Sequence, residues 1–220
     1  MISMLLPAVA YGENSFTLSY TETSGNSKTE TLSASYQLSR NWGVWGISSD
    51  GSFLYKKSSG KETANRLSAE VNGKRSLNDR LSLIVNGFIY SDRFSGYDFR
   101  AGLGPGISYQ LSSWATVSTS VNYTYNNYTN GKVENYWESQ TQLEMSKEFK
   151  RFTLSQKFSY QVSLKNGNDY FLHSRSEISV PLNSRLALSV VYSIDYQNRL
   201  PSGVEYHTDR TLLTGITYRF

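Results

Sequence analysis

The last nine residues, 212–220 (LLTGITYRF), place Leu212, Ile216, Tyr218 and Phe220 on one side of an extended chain and Gly215, Thr217 and Arg219 on the other. An amphipathic closing strand that ends in an aromatic residue implies a sheet whose apolar side meets lipid, so the polar residues are expected on the inside. With 38% hydrophobic residues and a mean hydropathy of −0.47 the chain would otherwise read as one soluble domain. Two features argue against that: Tyr, with 17 copies, is the commonest aromatic, and no 3.6-residue apolar stripe exists from which a helical core could be built. No apolar run approaches the roughly 18 residues of a membrane-spanning helix. A chain that crosses a bilayer without one must close its sheet, because open edges leave N–H and C=O groups unpaired in hydrocarbon.

Alternation supplies about twelve segments, at 15–23, 29–39, 45–56, 63–74, 80–91, 97–111, 114–126, 133–146, 151–164, 170–180, 185–197 and 206–220. Each has roughly the 9–11 residues of a tilted membrane strand, and an even number returns both termini to one rim. Connections at 24–28, 56–62, 92–98, 126–132, 165–169 and 198–205 carry Gly, Asn and charge. They alternate with tighter turns expected near Arg40-Asn41, Asn78-Asp79, Ser112-Ser113, 148–150 and Asn183-Ser184. The expected fold is therefore an all-β, transmembrane, antiparallel up-and-down barrel of about twelve strands, with short periplasmic turns and longer extracellular loops. Residues 1–10 (MISMLLPAVA) are apolar and end in a small-x-small pattern, which reads as the remnant of a cleaved signal peptide preceding a single barrel domain at 11–220.

Several function classes recede on composition. The net charge of +4 comes from dispersed residues, with no basic block interleaved with stacking aromatics, so nucleic-acid binding is not expected. Zero cysteines and two distant histidines give no metal-ligand cluster, and no cofactor motif is present. The spacing of Gly102, Gly104 and Gly106 is no nucleotide fingerprint, because no helix follows it. These glycines are expected on the inward face, either making room for long side chains from the opposite wall or leaving open lumen, with the former favoured and a bulge at Pro105.

Strand phase assigns Arg66, Glu70, Lys74, Arg100, Glu138, Glu144, Lys157, His173, Arg175, Glu177, Asp195 and Arg210 to the lumen. Acids and bases are interleaved there, so the set reads either as a self-neutralised polar plug or as the lining of a narrow pore. Trp42, Trp114, Phe152, Tyr218 and Phe220 are expected to anchor the rim of short turns in the membrane interface. Tyr55, Tyr90, Tyr123, Tyr125, Tyr136, Tyr170 and Tyr196 would belt the other rim. No catalytic residue is assigned; His207 with Asp209, or His173, is the place where a barrel hydrolase would keep its base.

The stretches 18–26 (LSYTETSGN), 62–66 (ETANR), 92–100 (DRFSGYDFR) and 201–220 (PSGVEYHTDRTLLTGITYRF) together resemble, in order, the salt-induced outer membrane protein family. The resemblance implies a bacterial outer-membrane barrel of unknown activity with a link to salt or osmotic stress, and it brings no catalytic residues. The expected role is thus non-catalytic, as a narrow hydrophilic channel or an osmotic-stress envelope component. A barrel hydrolase acting on lipid or peptide and a scaffold for another envelope protein are the alternatives. Expected partners are outer-membrane lipid, the barrel assembly machinery through the strand ending in Phe220, and an unidentified envelope protein.

Overall fold

The computed structural model describes residues 14–23, 28–201 and 204–220. The expected signal-peptide remnant at 1–10 lies outside the described residues. Twelve strands form one ring: β1 (Ser15–Thr23), β2 (Thr29–Trp42), β3 (Trp45–Ser58), β4 (Lys61–Ser76), β5 (Leu81–Asp92), β6 (Tyr97–Ser112), β7 (Ala115–Tyr128), β8 (Val133–Glu148), β9 (Thr153–Ser163), β10 (Tyr170–Pro181), β11 (Leu186–Gln197) and β12 (Thr208–Arg219). Each strand pairs antiparallel with its sequence neighbours, and β12 pairs back onto β1 to close the barrel. One 3₁₀ turn, Arg93–Ser95, is the sole helical element among the described residues, capped by Asp92 through the amides of Phe94 and Ser95.

The molecule is inside out relative to a soluble protein. Leu83, Val85, Leu103, Ile107, Phe158, Leu188, Val190 and Ile216 face outward and exposed, while the buried residues are mostly Ser, Thr, Asn and Gln, with Asn122 and Ser189 at 0% exposure. Such an apolar outer band with a polar interior fits a membrane-spanning barrel, because most backbone groups are paired within the wall and apolar side chains face the tails.

Turn chemistry explains the rims. At one rim, hereafter the turn rim, the connections are 43–44, 77–80, 113–114, 149–152 and 182–185. In two of them an Asn side chain accepts from the amides that follow: Asn78 Oδ1 from Arg80 and Leu81, and Asn183 Oδ1 from Arg185 and Leu186. The other, the loop rim, carries 93–96, 129–132, 164–169 and 198–207. Two expected connections are shorter than their composition implies. The β2–β3 hairpin turns at Gly43, with φ +59°, and not at Arg40-Asn41, since β2 continues until Trp42 pairs with Trp45. The polar run 56–62 is mostly strand; Ser59 and Gly60, with φ +50° and +78°, make a two-residue turn that matches the twist of the flanking strands.

The three inward glycines of β6 admit neighbours from adjacent strands, in place of side chains from the opposite wall. A Cβ on Gly102 would collide with the Phe88 ring of β5, and one on Gly104 or Gly106 with the carbonyl oxygens of Val121 or Thr119 on β7. Pro105 makes no bulge: it faces outward, pairs with Val85, and the β6–β7 register is unchanged from Leu103 to Gly106. The irregularities fall near the rims instead, at Lys56/Lys57, Tyr90/Asp92, Tyr97/Phe99 and Gln110/Ser112.

Candidate functional site: the lumen

Inward-facing positions meet across the barrel in three charged clusters. In the first, Lys157 of β9 sends its ammonium to Glu70 of β4 at 2.9 Å, Asp50 of β3 at 3.3 Å and Glu144 of β8 at 3.6 Å. Strands β9 and β3 stand opposite each other in the ring, so this one side chain spans the lumen. Glu70 is held on its own side by amides, accepting from Asn86 at 2.6 Å and Gln142 at 2.7 Å. Asn122 extends that network by donating to Asn86 and Gln140 at 3.1 and 3.2 Å. The amide side chains of β5, β7 and β8 thereby fill one half of the lumen.

The second cluster lies nearer the loop rim. Arg66 of β4 donates to Asp92 of β5 at 2.7 Å, to Asp195 of β11 at 2.5 Å and to Asp209 of β12 at 3.5 Å. Nδ1 of His173 lies 2.5 Å from the other oxygen of Asp195. In the third, Arg100 of β6 donates to Glu138 of β8 and to Asn126 at 2.8 Å, while its guanidinium lies 4.4 Å from the centre of the Phe171 ring. Arg175 and Glu177 pair along β10 at 3.0 Å. Outside the strands, Arg199, just after β11, reaches Asp169, just before β10, at 3.2 Å. Burial pushes the Asp169 carboxyl above its usual range, and Arg199 opposes that rise.

Beside these bridges a cavity of about 490 Å³ remains. Its walls on β1 to β4 are small and hydroxylated, through Ser19, Ser33, Ser35, Ser48, Ser52 and Ser68, which is why space survives there and not on the amide-filled side. It runs from Asn41 and Trp114 at the turn rim to Val204 and His207 at the loop rim.

The structure places Arg66, Glu70, Lys74, Arg100, Glu144, Lys157, His173, Arg175, Glu177 and Asp195 along this cavity, with Glu138 buried behind Arg100. Arg210 is a correction: it shares parity with Leu212, Ile216 and Tyr218 and points outward, while Asp209, Thr211 and Leu213 point in. Charge patterning does not point to Asp50, Asp92 or the amides Asn86, Asn122, Gln140 and Gln142, because nothing local marks a residue whose partner lies on another strand, as Asp50 of β3 partners Lys157 of β9. Trp42, Trp114, Phe152, Tyr218 and Phe220 are exposed at the turn rim, where Tyr218 and Phe220 stack at 5.9 Å. Tyr90 and Tyr136 leave the expected outer belt. Both face the lumen by strand parity, and Tyr136 is buried.

Neither histidine has a hydroxyl hydrogen-bonded to it among the described residues. Nδ1 of His207 lies 2.7 Å from the carbonyl of Gln197, so that nitrogen carries the proton. Asp209 belongs to Arg66 and not to His207.

No curated protein sequence matches the chain. Solved structures do. The NanC porin aligns with 11% identity over 95% of this chain and 100% of that one, at a TM-score of 0.58. The KdgM porin aligns with 10% identity over 94% and 99%, at 0.50. The translocator domain of the autotransporter NalP from Neisseria meningitidis aligns with 13% identity over 94% and 87%, also at 0.50. At such identities the likeness is one of fold: a twelve-strand barrel of the kind found in porins and autotransporters. The family model described as "Protein of unknown function, DUF481" matches residues 16–220, and on that match, spanning all twelve strands, the chain belongs to the DUF481 family.

Proposed function

We propose that the protein is an integral barrel of the bacterial outer membrane with a non-catalytic role, acting as a narrow hydrophilic channel whose bore is set by the lumen bridges. The observation that carries this reading is the hydroxyl-lined cavity that extends past Lys157 from rim to rim. Ser and Thr walls offer both donors and acceptors to a hydrated solute, and the charged crossings narrow the passage without sealing it. The fold likeness to the NanC and KdgM porins agrees. In this reading the turn rim faces the periplasm, the strand ending in Phe220 is what the barrel assembly machinery engages, and the salt-stress link implied by the sequence resemblance describes when the channel is needed.

Planar-bilayer recording of the refolded protein tests it. Discrete conductance steps, small compared with those of wide trimeric porins, are the expected result; a silent bilayer at both 0.1 and 1 M salt, as about the range over which screening changes most, contradicts a pore. Comparing a deletion strain with its parent at high and low osmolarity addresses the stress link separately.

A further inference from the structure

The seam that closes the barrel is half built. β1 and β12 pair only through Ser15, Phe16, Thr17 and Leu18 against Arg219, Tyr218, Thr217 and Ile216. By contrast β1 pairs with β2 from Ser15 to Thr23, and β12 pairs with β11 from Thr208 to Tyr218. Toward the turn rim, side chains reinforce the junction: the Thr17 and Thr217 hydroxyls are 2.8 Å apart, Thr217 is 2.7 Å from Ser189, and Arg219 donates to Ser179 at 2.9 Å. Above Leu18 the ladder stops. There the carbonyl of Thr214 accepts from the Ser19 hydroxyl at 2.5 Å, where a continued ladder would have used backbone. From Tyr20 to Glu22, and from Thr211 to Leu213, the two facing edges have no ladder partner among the described residues.

An unpaired edge in hydrocarbon is costly, so a barrel that keeps one has either something to cover it or a use for the gap. This gap joins two chemically different spaces. On the inside, Ser19, Thr211, Leu213 and Gly215 line the cavity, with Leu54 and Val191 further in. On the outside, Tyr20 and Leu212 stand 60% and 68% exposed. Two cations lie near its loop-rim end: Lys56 on the lumen face of β3, two strands from the seam and in the field of Arg66 and Asp209, and Arg210 on the outer face of β12. Neither has an ion-pair partner within 4 Å among the described residues.

We propose that the unpaired upper half of the β1–β12 seam is a lateral passage between lumen and membrane that binds an anionic single-chain amphiphile. The head group is drawn by Lys56 inside and Arg210 outside, and the tail leaves past Leu213, Tyr20 and Leu212 into the lipid. Hydroxyls of Ser19 and Thr211 and the head-group oxygens satisfy the backbone groups that the missing ladder leaves open. An added β-strand from a second chain is the other conceivable occupant. The run of free edge is short, it opens onto a cavity instead of a flat face, and two cations without an ion-pair partner within 4 Å lie near its loop-rim end, all of which favour an amphiphile.

The chain has no cysteine, so a pair can be introduced cleanly. Thr21 and Leu213 would face one another if the β1–β12 register simply continued, and T21C/L213C, joined by oxidation or by a short bismaleimide, closes the gap. Native mass spectrometry in neutral detergent reads retention of lysophosphatidic acid and laurate against lysophosphatidylcholine. Expected is retention of both anionic probes over the zwitterionic one. Retention should fall about tenfold in K56Q/R210Q, as loss of charge-assisted contacts predicts. It should fall similarly when the gap is closed and, for the disulfide form, return on reduction. Heat-modifiable gel mobility confirms that every variant is folded. Equal retention of all three probes, retention indifferent to seam closure, or a dimer joined through the seam would each overturn the proposal. The proposal rests on the membrane-barrel fold and not on conduction: channels without amphiphile binding refute only the passage, and binding without channels refutes only the pore.

Discussion

At the scale of the residue, Lys157 is the side chain on which the lumen turns. One ammonium faces three carboxylates, and the Glu70 end is 12% exposed while Lys157 itself is 21% exposed. Removing one partner of such a bridge leaves charge in a confined site, which costs more than the intact pair contributes. Because Asp50 and Glu144 are partly wet, the penalty for Lys157→Met is expected near the lower end for buried pairs, roughly 2–3 kcal/mol in urea unfolding followed by gel mobility. The same substitution removes the strut that joins the opposite strands β9 and β3 across the cavity, so single-channel conductance should rise while stability falls. A variant that loses stability with unchanged conductance would show that Lys157 braces the wall without bounding the bore. Lys157→Arg keeps the charge but exchanges a point ammonium for a planar fork, so it should retain most stability and shrink the current.

At the scale of the strand, β6 shows how backbone proximity is written in glycine. Gly104 lies where a Cβ would strike the Val121 carbonyl of β7, and main chain cannot swing aside as a side-chain tip can. Gly104→Ala is therefore expected to cost about 3 kcal/mol, the upper end for overpacking, and to lower the temperature at which the folded gel band disappears. Gly167, in a loop with nothing within 4 Å of the same position, is the matched control and should tolerate Ala within about 0.5 kcal/mol. The strands themselves were legible because their signal is local: alternation in β6, β7, β9 and β11 needs no knowledge of the partner strand. Where reading failed, the determinant was either a one-residue phase choice or a distant neighbour. The outward face of Arg210 is legible in β12 alone, since it shares parity with Leu212 and Ile216. Tyr136 was assigned to the outer belt by its chemistry, yet its parity with Glu138 puts it inside. The use made of Gly104, by contrast, depends on how closely β7 approaches, which no residue of β6 encodes alone.

At the scale of the whole barrel, the lumen charges do not cancel evenly along the path. At the Lys157 crossing one ammonium stands among three carboxylates, and at the Arg66 crossing one guanidinium stands among Asp92, Asp195 and Asp209. Each crossing thus carries excess negative charge beside walls on β1 to β3 that are mostly neutral hydroxyls. A low-dielectric wall concentrates that field on the bore, so a hydrated cation meets an attraction there and an anion a barrier. If the proposed pore conducts, it should accordingly prefer K⁺ over Cl⁻, with the reversal potential in a tenfold KCl gradient displaced toward that of potassium. The preference should weaken as salt approaches about 1 M, where the screening length falls to about 3 Å. Asp209→Asn tests the origin of the effect, since Asp209 is the most exposed of the acids around Arg66, at 55%, and its loss leaves the Arg66 bonds to Asp92 and Asp195 in place. That variant should fold normally and shift the reversal potential toward chloride. An anion preference in the unmodified protein would mean that Lys74 and Arg175, away from the two crossings, together with Lys56 beside Asp209, govern the permeating ion.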